Sequence, residues 1–133
     1  LGTVVPPAQH TSNLERLKAV CELAHDLNPN EPPIVETVLG GKPSEWESVR
    51  HKMADALRDW ERVASAHKTV VAIKAHVSGA LHTPQDASWL VRQIDSKWIR
   101  LVYDYSHFQR QNLGLKETLN AMVRDTVFVH IKD

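Results

Sequence analysis

The stretch "IRLVYDYSHF", residues 99–108, decides the fold. An apolar, partly β-branched run leads in. A carboxylate and an imidazole then follow three positions apart, at Asp104 and His107. A charge inside such a run is costly unless it is paired or coordinated. The stretch therefore reads as a strand, predicted over 98–105, whose end carries chemistry. "TVVAIKAHV" (69–77) has the same form and ends in Lys74 and His76, and "TVFVHIKD" (126–133) ends in His130, Lys132 and Asp133. A fourth strand is predicted in "IVETVLGG" (34–41), which is rich in β-branched residues and closes on two glycines.

Helical patterns alternate with these strands. One helix is predicted to begin at Ser12, where Ser12 and Glu15 have capping-box spacing, and to bury Leu14, Leu17, Val20, Cys21, Ala24 and Leu27. "NPNEPP" (28–33) ends it, because proline lacks the N–H and restricts its neighbour. A second helix is predicted over 44–66, with a Ser44/Glu47 capping box and Trp46, Val49, Met53, Leu57, Trp60 and Val63 on one face. A third starts at Pro84 behind a Thr83 cap and turns Ala87, Leu90, Val91 and Ile94 inward. A fourth, over 115–123, has Leu115, Leu119, Met122 and Val123 as its inward set. Strands starting near 34, 70, 99 and 126 are about 30 residues apart, the length of a βαβ unit. The expected class is α/β: a single domain over 1–133 with a parallel sheet and outer helices.

The bulk composition narrows the function classes. The 133 residues carry sixteen basic and sixteen acidic side chains, which removes the usual electrostatic case for nucleic acid or an anionic membrane as partner. Cys21 is the single cysteine, so no intrachain disulfide or cysteine zinc knuckle can form, and it is expected as a buried thiol. No apolar run reaches the roughly 20 residues of a membrane span, and no basic-then-apolar leader opens the chain. A cytoplasmic location is expected. The start at Leu1 rather than methionine, and a last strand without a covering helix, fit a piece of something longer.

Candidate chemistry gathers at the strand ends. Lys74 and His76 share a face, as do His130 and Lys132, because alternate residues of a strand point the same way. The carboxyl ends of parallel strands are where α/β barrels and open α/β sheets place their sites. An aspartate with one or two histidines suits a divalent ion such as Mn²⁺, Mg²⁺ or Zn²⁺, acting as a Lewis acid or activating water. Glu36 interrupts its apolar strand and either faces the same cavity or partners a buried Lys or Arg. His10, His25, His51, His67 and His82 fall on predicted loops or polar helix faces and are expected at the surface.

Taken together, "VVAIKAHVSGALHTPQDASWLVRQI", "IRLVYDYSHF" and "VFVHIKD" resemble the sugar phosphate isomerase/epimerase family of xylose-isomerase-like TIM barrels, which also includes endonuclease IV type enzymes. The family pattern is a strand ending in Glu-x-His, a small-residue loop and a Thr-Pro-initiated helix, then Asp-x-x-His, then His-x-Lys-Asp. The resemblance covers roughly residues 12–133. It implies a partial (β/α)8 barrel, about strands three to seven, with the first strands and the eighth lying outside this chain.

The resemblance also implies roles. Asp104 and His130 match metal-ligand positions, and His76 and His107 match positions that touch substrate, with Lys132 and Asp133 completing the last motif. The chain departs from the pattern at Lys74, which stands where the family places a metal-binding, proton-shuttling glutamate. A protonated lysine offers no lone pair to a metal. It would replace the metal's charge, hold a phosphate or carboxylate, or act as a base if burial lowered its pKa. Three functions follow from the resemblance. The first is isomerisation or epimerisation of a small sugar through a metal-stabilised enediolate. The others are a non-catalytic carbohydrate binder that has lost a ligand, and a metal-dependent phosphodiester hydrolase. A small-molecule sugar is the expected partner, with homo-oligomerisation left open.

Overall fold

The computed structural model describes residues 1–132. Four strands alternate with helices: α1 (Pro7–Leu27), β1 (Val35–Thr37), α2 (Trp46–Ala66), β2 (Val71–Lys74), α3 (Pro84–Ile94), β3 (Ile99–Asp104), α4 (Tyr105–Gln109), α5 (Leu115–Met122) and β4 (Thr126–His130). The strands form one parallel sheet in the order β1-β2-β3-β4. Parallel neighbours need a crossover between them, and the helices supply it. The Asp133 end of the His-x-Lys-Asp motif lies outside the described residues.

The core lies between one sheet face and the helices. Val71, Ile73, Ile99, Leu101 and Tyr103 meet Met53, Leu57, Trp60, Leu90 and Phe108 there. Ala72 and Val102 are buried as well. The two central strands are thus covered on both sides, which explains their nearly continuous apolar sequence. Helix α2 buries Trp46, Val49, Met53, Leu57 and Trp60 as its periodicity predicts. Cys21 is fully buried on α1.

Several expected boundaries move. Helix α1 starts at Pro7, five residues before Ser12, because proline at a first helical position has its φ preset and its missing N–H is not needed. The Ser12/Glu15 box therefore does not form, and Val20 and Leu27 stay exposed. At the second helix the Lys42 N–H donates to Glu45 Oε2 at 2.7 Å and the Glu45 N–H donates to the Lys42 carbonyl at 2.9 Å across a 3-10 turn. Ser44 is the middle residue of that turn rather than the cap. Thr83 caps α3 as expected: its Oγ1 accepts from the Asp86 N–H at 3.1 Å.

The strands are shorter than predicted. In β3 the strand stops at Asp104, and the one-and-a-half-turn helix α4 begins at the next residue. Of the expected inward set, Met122 is buried while Leu115, Leu119 and Val123 are exposed; Thr118 is the other buried residue of α5. After β1, Gly41 adopts φ +75°, and a Cβ there would come within 2.8 Å of the Ala80 Cβ. Glycine at that position lets the loops after β1 and β2 touch, with the Ala80 N–H donating to the Gly40 carbonyl at 3.0 Å.

Candidate functional site

Asp104 is the hub. Register pairs it with His130 on β4 and brings Lys74 of β2 alongside Val102 of β3, so all three side chains point to the same sheet face. Its side chain is only 1% exposed. Lys132 Nζ donates to Oδ2 at 2.7 Å, and Ser106 Oγ donates to Oδ1 at 2.6 Å. Around the same Oδ2 stand His107 Nε2 at 3.5 Å, His130 Nδ1 at 3.7 Å and Lys74 Nζ at 3.8 Å. Burial pushes the Asp104 carboxyl up. The hydrogen bonds from Lys132 and Ser106, with the charges of His107 and Lys132, overcome it and bring the pKa down to about 2.

A second carboxylate closes the cluster. Glu36 Oε1 forms an ion pair with Lys74 Nζ, and its Oε2 meets His130 Nε2 at 2.7 Å. Lys74 and His130 therefore each touch both Glu36 and Asp104. The open choice at Glu36 resolves as both at once, since it faces the site and partners a partly buried lysine.

His107 reaches Asp104 because α4 starts immediately after the strand, so three residues make about one turn. Burial and the neighbouring His76 lower its pKa, Asp104 opposes this, and Lys132 and Lys74 add to the lowering. His107 Nδ1 is buried with no hydrogen-bond partner among the described residues. The His76 and His107 rings lie 4.3 Å apart between centroids, and His76 Nδ1 bonds Ser78 Oγ at 2.8 Å. Next to them a cavity of about 200 Å³ is lined by Lys74, His76, Leu39, Gly41, Ser78 and Leu81.

All six residues singled out from the sequence thus come together: Lys74, His76, Asp104, His107, His130 and Lys132. Sequence reasoning missed Ser106. Its signal was a hydroxyl two residues beyond a strand-end aspartate, a spacing that suits a local side-chain hydrogen bond. Of the histidines expected at the surface, His51 is exposed. The other four are half-buried, His10 against Asp59 at 2.9 Å and His25, His67 and His82 against backbone carbonyls. The amphipathic imidazole covers apolar surface while its nitrogens keep partners.

A divalent metal does not fit this arrangement as it stands. Glu36, Asp104 and His130 offer oxygen and nitrogen donors, and the Lys74 ammonium already stands between the two carboxylates. Two unit charges about 4 Å apart interact by about 4 kcal/mol at an effective dielectric near 20, and a divalent ion would meet twice that as repulsion from Lys74. Charge is balanced already, with two carboxylates facing the two ammoniums of Lys74 and Lys132. Among the described residues no group of three or more His, Cys, Asp or Glu is placed to hold a metal ion. Of the two residues expected as metal ligands, Asp104 faces Lys74 and Lys132, and His130 lies against Glu36 and Asp104.

A family model described as xylose isomerase-like TIM barrel matches residues 2–133. No curated protein matches the chain in sequence. Solved structures do match in fold. The IOLI protein with a zinc atom aligns at TM-score 0.83 and 19% identity, over 98% of this chain and 48% of that one. A xylose isomerase-like TIM barrel protein from Mycobacterium smegmatis in complex with magnesium aligns at 0.75 and 17%, over 97% and 47%. The 3-keto-D-glucoside 4-epimerase of E. coli aligns at 0.72 and 21%, over 90% and 50%. The chain thus spans about half the length of these structures. Its four parallel strands and their helices are part of a TIM barrel.

Proposed function

Because this chain belongs to the xylose isomerase-like TIM barrel family, we propose that the carboxyl ends of its strands bind a small sugar or sugar derivative and isomerise or epimerise it. One observation carries this reading: two ammoniums, two carboxylates and three imidazoles converge at one end of the sheet, beside a cavity. The 3-keto-D-glucoside 4-epimerase and a D-tagatose 3-epimerase-like protein share the fold, which supports the same reaction class.

In this reading a sugar carbonyl oxygen sits against an ammonium. The carbon next to the carbonyl then gives up its proton to an imidazole, and the ammonium balances the charge of the enediolate. Return of the proton to the opposite face epimerises, and return to the adjacent carbon isomerises. His107 suits the acceptor role, since its surroundings favour the neutral ring.

The test uses the full-length protein with a panel of aldoses and ketoses in D₂O. Deuterium appearing next to the carbonyl by NMR, and lost in His107→Gln, is the expected result. Binding without exchange would favour a non-catalytic carbohydrate binder. That second reading draws on the engagement of Lys74 with Glu36, which leaves this lysine less available to a substrate oxygen. Neither exchange nor binding would overturn both.

A further inference from the structure

We propose that Lys74 is the resident cation of this site, so that the protein takes its ligand without a divalent metal. The proposal shares its location with the sugar-site reading, but its test reads metal alone, and either can fail without the other.

The geometry of the two carboxylates carries the argument. Glu36 and Asp104 come from β1 and β3, on either side of β2, and Lys74 rises from β2 between them. Its Nζ pairs with Glu36 Oε1 and lies 3.8 Å from Asp104 Oδ2. His130 closes the same space, with Nε2 at 2.7 Å from Glu36 and Nδ1 at 3.7 Å from Asp104. Carboxylates and an imidazole are ligand types that suit a hard or borderline divalent ion, although these three are not placed as a metal site here. The space between them is held by an ammonium fixed to the chain. Lysine is a compact point charge with three donors and no lone pair when protonated, so it can balance these groups but cannot ligate.

The inference predicts what removing the lysine does. Replacing its charge with a carboxylate leaves Glu36, residue 74, Asp104 and His130 around one point and removes the nearest repelling charge. Lys132 stays on Asp104 Oδ2 at 2.7 Å and limits the gain.

The test compares full-length wild type with Lys74→Glu after chelator stripping and desalting, by mass-spectrometric metal analysis and by calorimetric titration with Zn²⁺ and Mn²⁺. Wild type is expected to retain well below one equivalent. Lys74→Glu is expected to take up about one, at least about tenfold more tightly. Adding His130→Ala to that variant should abolish the gain. One tightly held equivalent in wild type, lost on Asp104→Asn, would overturn the proposal. A Lys74→Glu protein with wild-type circular dichroism and no tighter binding would also overturn it. If Lys74→Glu does not fold, Lys74→Gln is read in its place, and a folded Lys74→Gln without tighter metal binding than wild type counts equally against it.

Discussion

Asp104 shows what a single residue discloses about its surroundings. A carboxylate closing an apolar strand demands partners, and that demand is local and readable. The partners come from elsewhere: Lys74 lies thirty positions away on β2, and Lys132 lies 28 positions away just past β4. Two predictions follow at this scale. Asp104→Asn removes the counter-charge of two ammoniums while keeping the shape. It should lower the unfolding free energy by about 2–4 kcal/mol in urea titration at pH 7, somewhat under the roughly 3–5 kcal/mol of a fully buried pair because Lys132 is half-exposed. The folded-state pKa of Asp104, about 2, lies below its ordinary 3.8. Its contribution is therefore complete above about pH 4 and fades as pH falls through 2. From the shift it amounts to about 2 kcal/mol. The stability difference between wild type and Asp104→Asn should accordingly shrink between pH 4 and pH 2; a constant difference across that window would show that the carboxylate is not held down by its neighbours.

At the scale of elements, the sequence discloses periodicity better than boundaries. The stripe of α2 and the Thr83 cap of α3 lie where the pattern puts them, because both depend on residues within a few positions. Thr83→Ala should cost about 1 kcal/mol, measured by chemical denaturation, since Thr83 Oγ1 both accepts from the Asp86 N–H and donates to Asp86 Oδ2 at 2.6 Å. Trp60, fully buried on α2, is a larger anchor, and Trp60→Ala should cost about 3–5 kcal/mol in the same assay. The fourth predicted helix shows the limit. Met122 turns inward as expected, yet Thr118 joins it there in place of Leu115, Leu119 and Val123. The Thr118 hydroxyl bonds the Tyr103 hydroxyl at 2.8 Å, and α3 meets the helix through Ser88 Oγ, which donates to the Ala121 carbonyl at 2.7 Å. Polar contacts with β3 and α3 chose the face, and a hydrophobicity pattern cannot register them. The helix α4 was hidden for a related reason. Five residues are too few to show a period, although its start directly after Asp104 is what makes the Asp-x-x-His spacing work.

At the scale of the whole molecule the sheet has two edges, β1 and β4. Val127, Phe128 and Val129 of β4 are exposed and apolar, the form of edge that templates further strand pairing. The isolated 133-residue chain should therefore self-associate at high concentration. Val127→Lys, which puts a charge on that edge, should reduce light scattering without a large loss of stability. The sequence alone determined the alternation of strand and helix, the parallel sheet and the strand ends where polar groups collect. Those features rest on local periodicity and on the roughly constant length of a crossover. The resemblance read from it also implied that Lys74 departs from the family pattern. Only the tertiary structure decided that Lys74 is inserted between Glu36 and Asp104, because that depends on three strands lying in register. Register is set by packing across the sheet, between residues some 30 to 70 positions apart in the chain.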